Sequence, residues 1–263
     1  MKKLYLTATL AIVAVPISLS ATTIDAKTNI FVAGQDSTGI NTMGGLFPAV
    51  AQTFLPGPGQ SITFNVTPGP LSASAGPPGN AAGFGDGATM VFPFGPTTGT
   101  DIDGNGINGI SGIQFTGREM FLVGVFLDNS VPTGAGPAKL SFSSTGGTYN
   151  MDTDTAFTAF ALGQVFAIGD GKTGFNNAAG SLQTWQVPTG ATRLFLGFAD
   201  AFNNFTGPWG AYGDNSGSID VAVNVMGQQQ NPSSVPESTS TLVLLGLSIT
   251  GLALFQRRQA MTS

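Results

Sequence analysis

The sequence predicts an all-β fold, an antiparallel β-sandwich, from three observations. The apolar runs are short and rich in β-branched and aromatic residues, and the last of them alternates polar and apolar residues as a half-buried strand does. The 38 glycines and 16 prolines, together with Asn and Asp, mark the breaks between these runs. No segment between the two chain ends has the periodicity of an amphipathic helix.

Seven strands are expected along the chain. In order they are NIFVAG near Ile30, Ser61–Val66, Met120–Leu127, Lys139–Ser143, the run around Phe160, Thr192–Ala199 and Ser218–Val225. Residues 68–96 are rich in Gly, Pro, Ala and Ser, which predicts either a long surface loop or one that lines a ligand. Residues 21–227 are enough for one large β domain with a core of its own.

The first 20 residues have the layout of a secretory signal peptide. A basic start precedes an apolar run at residues 4–17, and Ser18-Leu19-Ser20 with Ala21 offers the small residues that a signal peptidase needs. The alternative is a membrane anchor, but a run of about 14 residues is short for a span. We therefore expect an exported protein whose mature chain begins near Ala21.

The C-terminal segment predicts a membrane span behind a polar linker. Residues 228–234 (QQQNPSS) are polar and interrupted by proline, as in a tether. Ser238–Phe255 carries no charge and is long enough to cross most of a bilayer, and Arg257 and Arg258 follow almost at once. Positive charge after a span holds that end in the cytoplasm.

Residues 235–259 resemble the PEP-CTERM sorting signal of bacterial exporters. A short motif, Val235-Pro236-Glu237-Ser238, precedes the apolar span and the basic pair Arg257-Arg258, which is the order of parts in that signal. The second proline of the usual motif is missing. The resemblance implies recognition by an exosortase-type enzyme, and a protein anchored at the cell surface or released to the extracellular matrix. A plain C-terminal anchor is the alternative.

Composition excludes several classes of function for the exported part. The chain has no Cys, hence no disulfide framework, and no His, the commonest catalytic base and zinc ligand. Without the two terminal signals, five basic residues stand against thirteen acidic ones, a net charge near −8. Such a surface repels nucleic acid. It suits calcium, which prefers carboxylate, amide and carbonyl oxygens.

The strongest candidate site is the loop between Thr192–Ala199 and Ser218–Val225. Asp200 ends the first of these strands, and Asp214 and Asn215 precede the second. If the two strands pair, the loop brings the three side chains together around a calcium ion, which takes about six to eight oxygens. An ordinary β-turn is the alternative, because Asp, Asn, Ser and Gly are the usual turn residues.

Three stretches resemble the small calcium-dependent, galactose-binding bacterial lectins of the PA-I type. YGDNSGSIDVAV, from Tyr212, is similar to the turn that enters their last strand. Trp185–Asp200 resembles their apolar strand ending in the metal-binding Asp, and Leu55–Gly69 resembles their Pro-Gly turn with its Ile-Thr strand. The resemblance implies a galactose-binding-like sandwich and calcium-dependent carbohydrate binding. The chain between these stretches is unmatched.

The resemblance also implies a role for each matching residue. Asp200 matches the carboxylate ligand of calcium, and Asp214 and Asn215 match two Asn ligands. Ala211 matches a ligand that binds through its backbone carbonyl, and a second such carbonyl falls near Ala73. Two sugar hydroxyls complete the calcium shell in these lectins.

Recognition of the sugar is expected to involve the same loop. Through the ion, Asp200 and Asp214 belong to the sugar site, and Trp209 and Tyr212 offer flat faces on which a sugar ring can stack. The alternative is that these aromatic rings pack onto their own domain. The family uses a His to contact galactose, and this chain has none, so galactose specificity is not implied.

Two other acidic stretches compete with this site. Asp101, Asp103 and Asn105 have the spacing of the first half of an EF-hand loop, but the closing Glu and the flanking helices are missing, which favours a surface loop over weak calcium binding. On a strand, Asp152 and Asp154 would share one face, the arrangement needed for a pair of glycosidase carboxylates, but solvated turn acids are commoner.

The sequence therefore predicts a non-enzymatic, exported, calcium-dependent carbohydrate-binding protein associated with extracellular polysaccharide. The alternative is a structural matrix or surface-layer protein in which calcium only stabilises the fold.

Overall fold

The computed structural model describes residues 21–36, 40–54, 59–72, 85–89, 99–103, 107–143, 148–201, 206–207 and 210–227, which all lie in one compact unit ending at Gly227. The expected signal peptide, linker and sorting signal lie outside these residues. Within the described part of the chain, no helix combines the length and the apolar character needed to cross a bilayer.

The described residues form an all-β, sandwich-like domain, as predicted. Its strands are β1 (Thr22–Asp25), β2 (Val50–Thr53), β3 (Ser61–Thr67), β4 (Ala88–Thr89), β5 (Gly99–Ile102), β6 (Ile113–Thr116), β7 (Arg118–Glu119), β8 (Phe121–Leu127), β9 (Leu140–Ser143), β10 (Tyr149–Asn150), β11 (Ala156–Phe157), β12 (Val165–Ala167), β13 (Thr184–Gln186), β14 (Arg193–Ala199), β15 (Thr206–Gly207) and β16 (Ser218–Met226). Short 3-10 helices span Ile30–Val32, Ile107–Gly109 and Tyr212–Asp214.

Three larger sheets and one small ribbon organise these strands. The central sheet has the order β12-β8-β14-β2, the terminal sheet the order β1-β16-β3-β13-β11, and the third sheet the order β10-β9-β6-β5-β15. Strands β4 and β7 form a separate two-stranded ribbon. Every residue of β8 is buried, so this strand is covered on both faces, which explains its uninterrupted apolar sequence FLVGVFL.

Aromatic side chains join the sheets into one core. Phe64 of β3 and Trp185 of β13 meet edge to face with ring centroids 4.9 Å apart, and Phe64 also lies 6.5 Å from Phe166 of the central sheet. The indole N–H of Trp185 donates to the carbonyl of Ala167 at 3.1 Å, which ties the terminal sheet to β12. Phe115 of the third sheet packs on Phe121 at 4.8 Å. Buried aromatic pairs of this kind add about 0.5–1.5 kcal/mol beyond their area.

The strictly antiparallel expectation is wrong in part. Four of the twelve strand pairings among the described residues are parallel: β9 with β10, β6 with β9, β5 with β15, and β11 with β13. All four join strands of two to four residues outside the central sheet. The direction of such short strands depends on how the loops around them pack. The alternation of side chains in a sequence does not indicate whether the neighbouring strand is parallel or antiparallel.

Two expected strands are also corrected. The NIFVAG run is a 3-10 turn at Ile30–Val32, because the Asn29 side chain accepts the N–H of Phe31 at 2.9 Å and caps the turn. Of the run TAFALGQVFAIG around Phe160, only Val165–Ala167 forms a strand (β12), which follows a turn at Leu162 and Gly163. Gly163 has a φ of 78°, a conformation that favours glycine.

Candidate functional site

Asp200 lies immediately after β14, at the end of the central sheet where β8 begins. Strand β14 pairs antiparallel with β8, and its last residue, Ala199, lies opposite Phe121. The Asp200 side chain leaves the sheet at this point but stays in the protein interior, since the residue is only 7% exposed. A carboxylate in this setting requires hydrogen-bond donors, a proton or a cation to offset its desolvation.

Asn215 meets Asp200 from the other side of the loop. Its amide nitrogen donates to Oδ2 of Asp200 at 2.8 Å and to the carbonyl of Ala26 at 3.3 Å. Asn215 is 1% exposed, and its Oδ1 is buried without any hydrogen-bond partner among the described residues. Buried polar atoms nearly always have a hydrogen-bond partner, so this oxygen is available to accept a hydrogen bond or to bind a cation.

The turn that carries Asn215 is fixed by close backbone contacts. Ser216 and Ser72 exchange two backbone hydrogen bonds, of 3.0 and 2.9 Å. Gly217 has a φ of 95°, and a Cβ on it would lie 1.5 Å from the carbonyl oxygen of Pro70, so only glycine fits. The chain after β3 is therefore held beside the Asn215 turn. Ala73, the expected second carbonyl ligand, follows Ser72 directly but lies outside the described residues.

The contact between Asp200 and Asn215 does not arise from pairing of the two strands that flank the loop. Strands β14 and β16 do not pair, since β14 belongs to the central sheet and β16 to the terminal sheet. The segment between them also contributes β15 to the third sheet, and Asn215, at its end, donates to Asp200, at its start. Asp200 and Asn215 nevertheless lie within hydrogen-bond distance of each other, although the strands that were assumed to pair belong to different sheets. The assignment of the two residues as calcium ligands stays a prediction.

Tyr212 has a structural position, which corrects the expectation that it stacks on a sugar. The residue is fully buried, and its hydroxyl donates to the carbonyl of Phe198 at 2.8 Å and accepts the N–H of Asp200 at 3.4 Å. A ring with no exposed face cannot contact a sugar. Tyr212 instead links the turn to the end of β14. Trp209, the other expected sugar contact, lies outside the described residues.

The remaining predicted ligands are near the pair but differ in exposure. Asp214 is exposed, on the same short helix as Tyr212, and its charge acts on Asp200. Ala211 has a φ of 62°, in the left-handed region that a residue with a Cβ seldom adopts. The turn thus presents a buried side at Asp200 and Asn215 and an open side at Asp214.

The electrostatics of Asp200 follow from its burial. Burial raises the pKa of Asp200 to about 7, the hydrogen bond from Asn215 lowers it, and the negative charges of Asp214 and Glu119 raise it. No basic residue is among the groups that act on it. The carboxylate is thus poised to take up a positive charge, either a proton or a metal ion.

Sequence reasoning missed several buried charges at the same end of the central sheet. Burial raises the pKa of Glu119 to about 7. Asp86 accepts the backbone N–H groups of Asp170 and Asn176 at 2.8 and 2.6 Å, and Arg118 lies 3.6 Å from the ring centroid of Phe175. A signal was available for Arg118 and Glu119, because only Met120 separates these two charges from the fully apolar strand β8.

The cavity beside Asp86 and Arg118 is too small for a sugar. It is lined by Asp86, Arg118, Asp152, Lys172 and Phe175, among others, and its volume is about 10 Å³. That is close to the room that one water molecule needs. Among the charged groups that line it, Arg118 acts favourably on both Asp86 and Asp152.

The two competing acidic stretches take structural roles. Lys139 forms ion pairs with both Asp101 and Asp103, so a cation already lies between the acids of the EF-hand-like loop. Asp152 lies in a turn, and Asp154 accepts the backbone N–H of Asn150 at 2.7 Å. The strand on which both acids would share a face is therefore absent at these positions, and the premise of the glycosidase alternative is wrong.

In the described ranges, no three side chains of the His, Cys, Asp and Glu types are grouped so that they could hold a metal ion by themselves. A metal site at Asp200 thus depends on amide and carbonyl oxygens as well, which are common calcium ligands. Comparison of the chain with protein-family models, with curated proteins and with solved structures finds no match. The resemblances to the sorting signal and to the lectins stay predictions.

Proposed function

We propose that the chain is an exported calcium-dependent carbohydrate-binding protein, with its ion at Asp200 and Asn215. The observation that supports this most is the buried pair itself. The Asp200 carboxylate lacks a basic partner, and the Asn215 Oδ1 beside it lacks any hydrogen-bond partner in the described part of the chain. Both are hard oxygen ligands, the type that calcium prefers.

The residues around the pair fit a calcium ion in kind. Asp200 at the end of β14 and Asp214 offer two carboxylates, Asn215 beside Asp214 offers an amide oxygen, and Ala211 adds a backbone carbonyl in the expected assignment. These protein oxygens are fewer than the six to eight or so that calcium requires, so the remaining coordination positions are left for water or for a sugar diol. Calcium binding would also supply the positive charge that the buried Asp200 lacks.

The open side of the turn favours carbohydrate as the ligand. Gly213, Asp214, Ser216 and Gly217 are exposed, whereas Asn215 between them is buried. An ion between the buried pair and Asp214 would lie at the boundary of the protein and the solvent, where sugar hydroxyls can reach it. We propose Trp209, in the same loop, as the residue that selects the sugar.

The burial of Asp200 and Asn215 favours a second candidate function. Both residues are more than nine-tenths buried, as expected for an ion that fastens the loop rather than one that contacts a ligand. The protein would then be a structural component of the matrix or surface layer. Under either function we propose export, sorting by an exosortase-type enzyme through Val235-Pro236-Glu237, and anchorage by the C-terminal span.

Calcium titration and glycan binding together test these proposals. In the full-length chain, calcium at a hundredfold excess over its Kd should stabilise the fold by about 2.7 kcal/mol. Asp200→Ala should abolish that stabilisation, and Asp214→Asn should reduce the calcium affinity. An unchanged calcium-dependent shift of the melting temperature in Asp200→Ala would place the ion elsewhere.

A glycan array with and without EDTA separates the two functions. Glycan binding that is lost on chelation supports the carbohydrate-binding function, and calcium stabilisation without glycan binding supports the structural one. Trp209→Ala should weaken glycan binding at saturating calcium and leave the calcium affinity unchanged, because Trp offers the ion no oxygen. Normal glycan binding by this variant would remove Trp209 from the sugar site.

A further inference from the structure

A short segment, residues 42–46, packs against the turn that carries Asp214 and Asn215. Gly44 in this segment has a φ of 83°, and a Cβ on it would lie 2.8 Å from the Cα and 2.9 Å from the nitrogen of Gly213. Gly213 directly precedes Asp214. The contact joins backbone to backbone, so no side chain can rotate to make room for a methyl group. Only glycine at position 44 therefore allows the segment and the turn to lie so close together.

The segment is anchored at both ends to the buried chain that follows β1. The N–H of Leu46 donates to the carbonyl of Lys27 at 2.7 Å, and the carbonyl of Leu46 accepts the N–H of Asn29 at 2.9 Å. At the other end, the side-chain amide of Asn29 donates to the carbonyl of Thr42 at 3.2 Å. Asn29 is fully buried. Residues 42–46 therefore have little freedom to move away from the turn.

The same stretch of buried chain also holds the other side of the turn. The carbonyl of Ala26 accepts the side-chain amide of Asn215 at 3.3 Å, and the N–H of Ala26 donates to the carbonyl of Gly217 at 3.0 Å. The turn is thus held at Asn215 and Gly217 by the chain after β1, and at Gly213 by the segment that this chain anchors. Asp214 lies between these contacts.

We propose that residues 42–46 position the turn for calcium, with Gly44 as the positioning residue. The proposal rests on the proposed function, since it assumes that the ion binds at Asp200 and Asn215. Because both ends of the segment are anchored, a methyl group at position 44 would displace Gly213, and the ligands that follow it, relative to Asp200. Groups that orient the ligands of a metal ion typically change its affinity by about 10–100-fold when they are replaced.

Calcium titration of the purified full-length chain tests this role. Gly44→Ala should weaken calcium binding by about tenfold or more, measured by calorimetry well below the melting temperature. The luminescence of bound Tb³⁺, for which Tyr212 is a sensitiser close to Asp200, gives a second readout. Its lifetimes in H₂O and D₂O count the water molecules on the ion, and Gly44→Ala should gain water where a protein ligand has moved. A purely structural role would lower the calcium-free melting temperature and leave both readouts unchanged.

Gly59→Ala is the matched control. Gly59 has a φ of 82°, so alanine there has the same backbone strain, but its Cβ would meet nothing within 4 Å in the described part of the chain. This variant should lose some stability and bind calcium as the wild type does. An equal loss of affinity in Gly59→Ala would mean that strain at any such glycine weakens the site, and the role of Gly44 would be overturned.

The outcomes distinguish this inference from the proposed function. Wild-type affinity in Gly44→Ala together with lost binding in Asp200→Ala would overturn the role of Gly44 and leave the calcium site intact. No calcium or Tb³⁺ binding by the wild type, or unchanged binding in Asp200→Ala, would overturn both. If Gly44→Ala does not fold, Asn41→Ala removes the exposed hydrogen bond that the N–H of Met43 donates to Oδ1 of Asn41 at 2.9 Å, just before Gly44. Wild-type affinity in that variant would then refute the role of the segment.

Discussion

Replacing Tyr212 by Phe removes one hydroxyl from the centre of the candidate site and keeps the ring. That hydroxyl donates to the carbonyl of Phe198 at 2.8 Å and accepts the N–H of Asp200 at 3.4 Å, in a fully buried position. The change therefore deletes one well-formed buried hydrogen bond and one long one. It also removes one of the links between Asp200 and the turn that carries Asn215, while the Asn215 hydrogen bond to Asp200 remains.

The magnitude follows from these two contacts. A buried hydrogen bond contributes about 0.5–1.5 kcal/mol net, and a donor–acceptor distance of 3.4 Å marks the second contact as weaker. We expect Tyr212→Phe to lower the free energy of unfolding by about 1–2 kcal/mol. For a domain of this size that corresponds to a fall in melting temperature of roughly 2–8 °C. Calcium affinity should fall too, because the position of Asp200 becomes less defined.

Chemical denaturation with and without calcium measures both effects. Tyr149→Phe is the control, because its hydroxyl also donates to a carbonyl, that of Thr158 at 2.6 Å, but in an exposed position. This variant should lose less than about 0.5 kcal/mol, since water replaces an exposed hydrogen bond. Equal decreases in the free energy of unfolding of the two variants would refute the prediction, because they would show that the buried hydrogen bonds of the Tyr212 hydroxyl contribute no more than an exposed one.

Three further predictions concern pH, the turn and the C-terminal segment. Burial raises the pKa of Asp170 to about 7, so this carboxyl group keeps its proton to higher pH in the folded state than in the unfolded state. As pH rises from 5 to 6.5, this group should therefore lower the free energy of unfolding by up to about 1.4 kcal/mol per pH unit. Denaturation measured across this pH range should show a smaller slope in Asp170→Asn. Gly217→Ala should lower stability by about 3 kcal/mol or more, because its Cβ would overlap the Pro70 carbonyl, whereas Gly213→Ala, whose Cβ meets nothing nearer than 4.0 Å, should change the melting temperature little. Deleting residues 238–258 should release the protein into the medium, as fractionation would show; continued membrane association would contradict anchorage by this segment.

The longest strands could be predicted to within one residue because their sequences encode burial directly. Phe121–Leu127 is apolar throughout since both of its faces are covered, and Ser218–Met226 alternates since one face is exposed. The two-residue strands β4, β7, β10, β11 and β15 could not be predicted. They contain too few residues for a period, and distant parts of the chain determine their pairing.

The candidate site was predictable where it depends on local sequence. Asp200, Asp214 and Asn215 could be singled out, because an acid at a strand end and an Asp-Asn pair in a Gly-rich turn are visible in the sequence. The burial of Tyr212 could not be predicted, since it depends on how the segment between β14 and β16 packs against the sheets. The burial of Glu119 was missed for the same reason, because it depends on packing against parts of the chain that are distant in sequence.

The pairing of the first strand with the last has a consequence for how the chain reaches its folded state. Thr23 of β1 donates to Asp220 of β16, which is 197 residues further along the chain. Strand β1 lies at the edge of the terminal sheet with β16 as its neighbour there, so it must wait for nearly the whole domain to be made. At about 5–20 residues per second this delay is roughly 10–40 s. Contacts so distant in sequence also slow folding itself, so the chain stays unfolded for longer after its synthesis is complete.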